Sequence, residues 1–177
     1  MVLKDIKRII KNYFFTYPTA KLRVRHIERE AKVPLPSAIR YCKELEKEGI
    51  TKKEVIAGVN LYSADRASKS FLIHKVLFNL ETLYSSKLIE HLIREYDNPT
   101  IILFGSYSKG EDIEDSDIDI YLETFSNKAV NLEQFEKKLK RRIQLFLHKS
   151  LNDINNKELA NNIINGIIIN GFLEVFK

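Results

Sequence analysis

The chain has 177 residues, 44% of them hydrophobic and 30% charged, with six glycines, four prolines and one cysteine. That is enough for one ordinary domain or two small ones. The composition excludes a disordered or collagen-like chain, and one cysteine excludes both a disulfide framework and a cysteine-based zinc cluster. No apolar run approaches the roughly 18 to 20 residues that span a bilayer. The opening Met1-Val2-Leu3-Lys4-Asp5 is charged and periodic, unlike a signal peptide. A cytoplasmic protein with no membrane partner is expected. The net charge of +5 is unevenly placed: Met1 to Asp65 holds 14 Lys and Arg against 8 Asp and Glu, and the rest holds 15 against 16. A basic first third joined to a near-neutral remainder points to a polyanion-binding module joined to something else.

Val2 to Phe15 carries apolar residues at helical spacing (Leu3, Ile6, Ile9, Ile10, Tyr13, Phe14) and stops before Pro18. A short second helix fits Val24 to Ala31, with Val24, Ile27 and Ala31 on one side. After the turn Lys32-Val33-Pro34-Leu35-Pro36-Ser37, a third helix opens at Pro36 or Ser37 and runs to Glu48, with Gly49 as a left-handed cap. Within it Ile39, Cys42 and Leu45 are expected to face the core, leaving Ser37, Arg40, Tyr41 and Glu44 to point elsewhere. Two β-prone runs, Ile50 to Ala57 and Val59 to Ser63, flank Gly58 and predict a hairpin.

That order of elements resembles the winged helix-turn-helix domains of archaeal and bacterial regulators over residues 1–65. The resemblance implies duplex DNA as a partner and, since such proteins read two half-sites, a homodimer. Arg23, Arg25, Arg40, Lys52 and Lys53 are then candidates for phosphate contacts, and Ser37, Arg40 and Tyr41 for base edges. A module that docks onto protein is the alternative.

Residues 66–97 read as a helical connector. Phe71, Leu72, Val76, Leu77 and Leu80 form one apolar stripe and Leu88, Ile89, Leu92 and Ile93 another, which predicts two helices or one long helix broken near Ser85-Ser86. His26, His74, His91 and His148 have no second ligand at metal-binding spacing and read as ordinary residues.

The chemistry lies further on. Ile101 to Phe104 predicts a strand that ends at Gly105-Ser106. With ten residues between Ser106 and Asp117, Asp117 and Asp119 alternate with Ile118 and Ile120. Positions two apart on a strand share a face, so both carboxylates project together while both isoleucines pack behind them. Convergent carboxylates are costly unless a cation neutralises them, and magnesium takes one or two carboxylates plus substrate phosphates. Gly105 lets phosphates approach the backbone, Ser106 can donate a hydrogen bond to them, and Lys109 could add positive charge. The run is not a P-loop: Glu111 and Asp112 stand where the lysine and the Ser or Thr belong. Together with Glu114 and Asp115 they read as a solvated acidic loop.

Gly105-Ser106 followed by Asp117-Ile118-Asp119 resembles the GS–DxD signature of the DNA polymerase β-like nucleotidyltransferase superfamily, in its minimal prokaryotic branch, over residues 98–177. The whole chain looks like members that place a winged helix before that minimal domain, so an α+β protein with a small mixed sheet flanked by helices is expected. The resemblance implies that Gly105 and Ser106 bind a nucleoside triphosphate and that Asp117 and Asp119 hold two magnesium ions. An acceptor hydroxyl would attack the α-phosphate, taking a nucleoside monophosphate, AMP from ATP being the first expectation, and releasing pyrophosphate. Similar minimal proteins act as antitoxins and modify a tyrosine of a HEPN-domain toxin; a small molecule or a nucleic-acid 3′ end are other acceptors. The family places a third carboxylate on a later strand. After a helix from Leu132 to Lys140, the run Arg142 to Leu147 has Gln144 there, and an amide supplies neither a base nor a charge. Glu123 and Asp153 are candidates to compensate. The alternative function is a DNA-binding regulator whose second domain senses a nucleotide or is catalytically silent. Asn156 to Gly166 has Leu159, Ile163 and Ile164 at helical spacing, and the apolar runs Ile167-Ile168-Ile169 and Phe172-Leu173-Val175 that follow are expected to be buried.

Overall fold

The computed structural model describes residues 5–174, a mixed α+β chain that divides into two compact units between Phe78 and Asn79. Residues 66–97, expected as a connector, fall on both sides of that division. No helix among the described residues is long and apolar enough to cross a membrane.

The first unit opens with α1 (Ile6–Thr16), N-capped by the Asp5 carboxylate, which accepts from Arg8 N at 3.0 Å. The part of the expected helix around Leu3 lies outside the described residues. Ile10, Phe14 and Phe15 are buried on its inner face. The second helix, α2 (Val24–Ala31), spans the residues its spacing predicts; Ile27 is buried, with Val24 and Ala31 packed beside it. Next, α3 (Leu35–Lys47) takes Pro36 into its first turn, where a missing N–H leaves no bond unmade. Its buried residues are Ala38, Cys42 and Leu45, not the expected Ile39, which is 42% exposed. Steps of four and three residues keep 38, 42 and 45 on one stripe, whereas one residue onward is a turn of about 100° out of it.

Gly49 (φ +69°) ends α3, with Ile50 N donating to Leu45 O at 2.9 Å. The hairpin follows as β1 (Thr51–Ile56) antiparallel to β2 (Val59–Ala64). Its two-residue turn, Ala57 and Gly58, has positive φ at both positions, as a type I′ turn demands. The other edge of β2 bonds Leu22 through Tyr62. From α4 (Lys69–Ser85), Phe71 and Phe78 each lie 5.4 Å from the Phe15 ring. Leu77, expected in that stripe, is 59% exposed. Two turns separate Phe71 from Phe78, so Phe78 holds the inward position and Leu77 turns out.

In the second unit the end of α4 supplies Leu80 and Leu83. The chain breaks at Ser86-Lys87, where Lys87 has φ +71° and the Ser86 hydroxyl accepts from Leu88 N at 3.1 Å. Then come α5 (Leu88–Glu95), β3 (Thr100–Phe104), α6 (Gly105–Lys109), β4 (Ile118–Glu123), α7 (Glu133–Leu139), β5 (Ile143–His148), a 3-10 turn (Leu151–Asp153), α8 (Lys157–Ile164) and β6 (Ile167–Asn170). The sheet runs β5-β4-β3-β6, with β3 antiparallel to both neighbours and β4 parallel to β5. Alternation along the strands sends Ile101, Leu103, Ile118, Ile120 and Leu122 to one face, against Leu83, Leu88, Leu92 and Phe135. Ile102, Phe104 and Tyr121 on the other face meet Leu151, Ile154 and Ile163. The C-terminal runs depart from expectation: Ile168, on the edge strand β6, is 51% exposed, and Phe172, past the end of that strand, is 69% exposed. Val175 lies outside the described residues.

Candidate functional site

Phe104, the last residue of β3, pairs with Asp119 of β4, so the residue after it meets the Asp119 side chain. That residue is Gly105, at φ +71°; a Cβ there would run into Asp119 Oδ2 and lie 3.2 Å from its Cγ. Only glycine takes both the backbone angle and the approach without strain. Ser106 is half-buried in the first turn of α6, and its carbonyl accepts from Glu111 N at 3.0 Å. Lys109 is exposed in the last turn of α6.

A small turn delivers the other carboxylate. Ser116 N donates to Ile113 O at 3.1 Å while Ile113 N donates to Ser116 Oγ at 2.9 Å, closing the loop just before Asp117. Asp117 and Asp119 are half-buried, and Ile118 and Ile120 between and beyond them are fully buried. Burial pushes the Asp119 carboxyl above its ordinary range, and the charge of Asp117 adds to the rise. A bound cation would relieve both causes. No cluster of three or more His, Cys, Asp or Glu at metal-holding distance occurs among the described residues. The chain thus offers two carboxylates, a donor set that suits a hard divalent ion whose remaining ligands come from phosphate and water.

The parallel register pairs Asp119 with Gln144, whose exposed side chain stands on the adjacent strand. Neither candidate for compensation stands there. Glu123 is four residues along β4 from Asp119, about 13 Å at strand rise. It accepts from the Tyr121 hydroxyl at 3.3 Å. Asp153 is occupied as a cap, accepting from Ser150 N at 3.0 Å.

A polar network went unseen in the sequence. Asp112 is not part of a solvated loop: it is 1% exposed, with Arg141 at 3.6 Å and the Asn79 amide donating to it at 2.7 Å. Asn79 also donates to Tyr107 O at 2.8 Å, which ties α6 to the same cluster. A run of four acids within five residues offers no signal for which one folds inward.

In the first unit, Arg25 and Arg23 are exposed at the start of α2, and Lys52 and Lys53 on β1. Lys52 lies 3.5 Å from Glu54, which Lys21 also meets, at 3.0 Å. On α3, Ser37 and Tyr41 are half-buried. Arg40 lies over the Tyr41 ring, 4.3 Å from its centroid, donates to its hydroxyl and faces Glu44 at 3.6 Å. The histidines gather nothing: His26 and His74 are exposed, His91 packs on Phe135 and His148 on Tyr121.

Residues 86–171 match the family model described as polymerase beta, nucleotidyltransferase. The matched span contains the whole four-stranded sheet, α6 and both carboxylates, and it supports a nucleotidyltransferase of that superfamily in the second unit. No curated protein matches the chain.

Proposed function

We propose that the second unit is a magnesium-dependent transferase that moves a nucleoside monophosphate, AMP from ATP first among them, to an acceptor hydroxyl. The observation that carries this reading is the packing of Gly105 against Asp119 with Asp117 beside it, a phosphate-permissive turn touching a carboxylate whose charged form burial and the neighbouring Asp117 disfavour. Asp117 and Asp119 would hold the metal, which supplies charge neutralisation at the phosphates and a more acidic acceptor hydroxyl. Gly105 and Ser106 orient the triphosphate, and Lys109 adds positive charge at the far end of α6. The hydroxyl oxygen forms a bond to the α-phosphorus, the α–β bridge breaks, and pyrophosphate leaves with that electron pair. Gln144 cannot take the proton, so it passes to solvent. Catalysis by this chain is then a matter of position and charge.

The three helices and hairpin of the first unit support a winged helix-turn-helix reading, with Arg23, Arg25, Lys52 and Lys53 on phosphates and Arg40, Tyr41 and Ser37 nearer the bases. Arg40 must exchange its contacts with Tyr41 and Glu44 for a nucleic-acid contact, which weakens what it can contribute.

One observation favours a second reading, a regulator whose site binds a nucleotide without transferring it: the residue in register with Asp119 is an amide. Incubation with α-labelled ATP, magnesium and cell extract separates the two. Label on a macromolecule, lost in Asp117→Asn/Asp119→Asn, establishes transfer. Saturable magnesium-dependent ATP binding with no transfer establishes the sensor. No magnesium-dependent binding of ATP at all overturns both.

A further inference from the structure

The sheet of the second unit ends on an open strand. On one edge β6 bonds β3, and among the described residues no strand lies against its other edge. Such an edge presents a row of main-chain donors and acceptors, which proteins ordinarily blunt with charged side chains, proline or a covering element. Here the fifteen residues from Leu159 to Leu173 contain no Asp, Glu, Lys, Arg or Pro. The bulge against β3 lies past Ile168. Five large apolar side chains are exposed among the described residues of the second unit: Tyr84, Phe125, Ile164, Ile168 and Phe172. Four of them belong to this edge. Ile168 is in the strand, Ile164 and Phe172 lie just before and just after it, and the Tyr84 hydroxyl donates to Ile169 O at a long 3.5 Å.

We propose that this edge pairs with the same edge of a second copy of the chain, antiparallel and centred on Ile168, so that the two sheets continue into one. A second copy is selected because the segment complements itself. About a two-fold axis at Ile168, that residue faces its own counterpart, Ile167 faces the partner's Ile169, Gly166 faces the partner's Asn170 and Asn165 faces the partner's Gly171. Branched side chains meet branched side chains, and each asparagine meets a glycine. Beyond the strand ends, Phe172 extends toward the partner's Ile164. Charge points the same way. Two copies of a chain with net charge +5 repel each other, and like charges placed opposite one another across a strand pair are destabilising. The uncharged edge is where that repulsion is least. Main-chain bonds then supply affinity and the isoleucines supply register. The pairing needs nothing from the transferase reading, and Asp119 on β4 keeps β3 between itself and the seam.

The test is sedimentation of the full chain over a concentration series, joined to disulfide trapping at the seam. The native protein should shift from one chain to two as concentration rises. Ile168→Lys sets two ammonium groups opposite each other and should sediment as a single chain throughout, with native circular dichroism. Ile168→Cys sets two thiols at opposed positions, where Cα atoms stand about 4.5–5.5 Å apart, within disulfide reach. Mild oxidation should give a covalent dimer that a reductant splits. Cys42 is buried and takes no part. Lys137→Cys, exposed on α7 ahead of the strand at the sheet's opposite edge, should stay largely uncrosslinked. If Ile168→Lys loses its native dichroism, the cysteine comparison alone decides. A native chain that is monomeric at every concentration overturns the pairing and leaves the edge to a segment of another protein. A dimer that survives Ile168→Lys, or that Ile168→Cys traps no better than Lys137→Cys, lies on another face and overturns it too.

Discussion

Gly105 lies so close to Asp119 that any side chain at 105 would displace the carboxylate. The Gly105 turn and the Asp119 carboxylate are therefore one packed unit, since the end of β3 and the start of β4 are held side by side through the Phe104–Asp119 pairing. Substitution at 105 acts on both together.

Gly105→Ala should cost about 1–3 kcal/mol from the left-handed backbone alone. It should also abolish magnesium-dependent nucleotide binding, because Asp119 must move. Chemical denaturation and ATP titration on the same preparation check the two effects. An alanine variant that binds magnesium-ATP with native affinity would contradict the proposed role of the contact.

Gln144→Asp restores a carboxylate at the position in register with Asp119. If the amide limits transfer, the rate should rise by about 10²–10⁴-fold, the usual worth of a positioned general base. ATP affinity should change far less than the rate. Single-turnover transfer measured beside equilibrium binding distinguishes the two, and an unchanged rate shows that the third acid is not what limits this site.

Asp112→Ala leaves Arg141 buried without its carboxylate, and breaking such a pair costs about 3–5 kcal/mol. The same change frees the Asn79 amide, which also holds Tyr107 O. Loss of stability should be large in urea unfolding. Asp112→Asn, which keeps the shape and an acceptor for Asn79, should lose less than the alanine variant.

Burial pushes the Cys42 thiol from 9.0 up to about 12. The folded state then holds its proton at pH values where the unfolded chain has released it. The stability owed to this group is complete below pH 9 and is lost as the pH rises toward 12. Native protein at pH 8 should resist iodoacetamide, with alkylation appearing only under denaturing conditions. Rapid labelling of the folded chain would show that Cys42 is accessible.

The elements of this protein were legible from local pattern. Spacing of Val24, Ile27 and Ala31 marked α2 to its ends, two β-prone runs around Gly58 marked the hairpin, and the alternation of Asp117 and Asp119 with isoleucines marked the start of β4. Each is a short-range consequence of helix or strand periodicity. Residues near the edge of a stripe were misread: Ile39 and Leu77 each lie one residue from the true inward position, a rotation that apolar character alone does not resolve.

What the sequence by itself determined is the pair of chemical parts, a glycine turn and two carboxylates two residues apart at the start of β4, because both depend on backbone rules acting over a few residues. Only the tertiary structure decided what stands beside them. The parallel register of β4 and β5 brought Gln144 to Asp119 and left Glu123 and Asp153 elsewhere. Folding also buried Asp112 on Arg141 while leaving Lys137, Lys140 and Arg142 exposed. These are choices between residues of the same charge and similar context, and only packing between elements distant in sequence makes them.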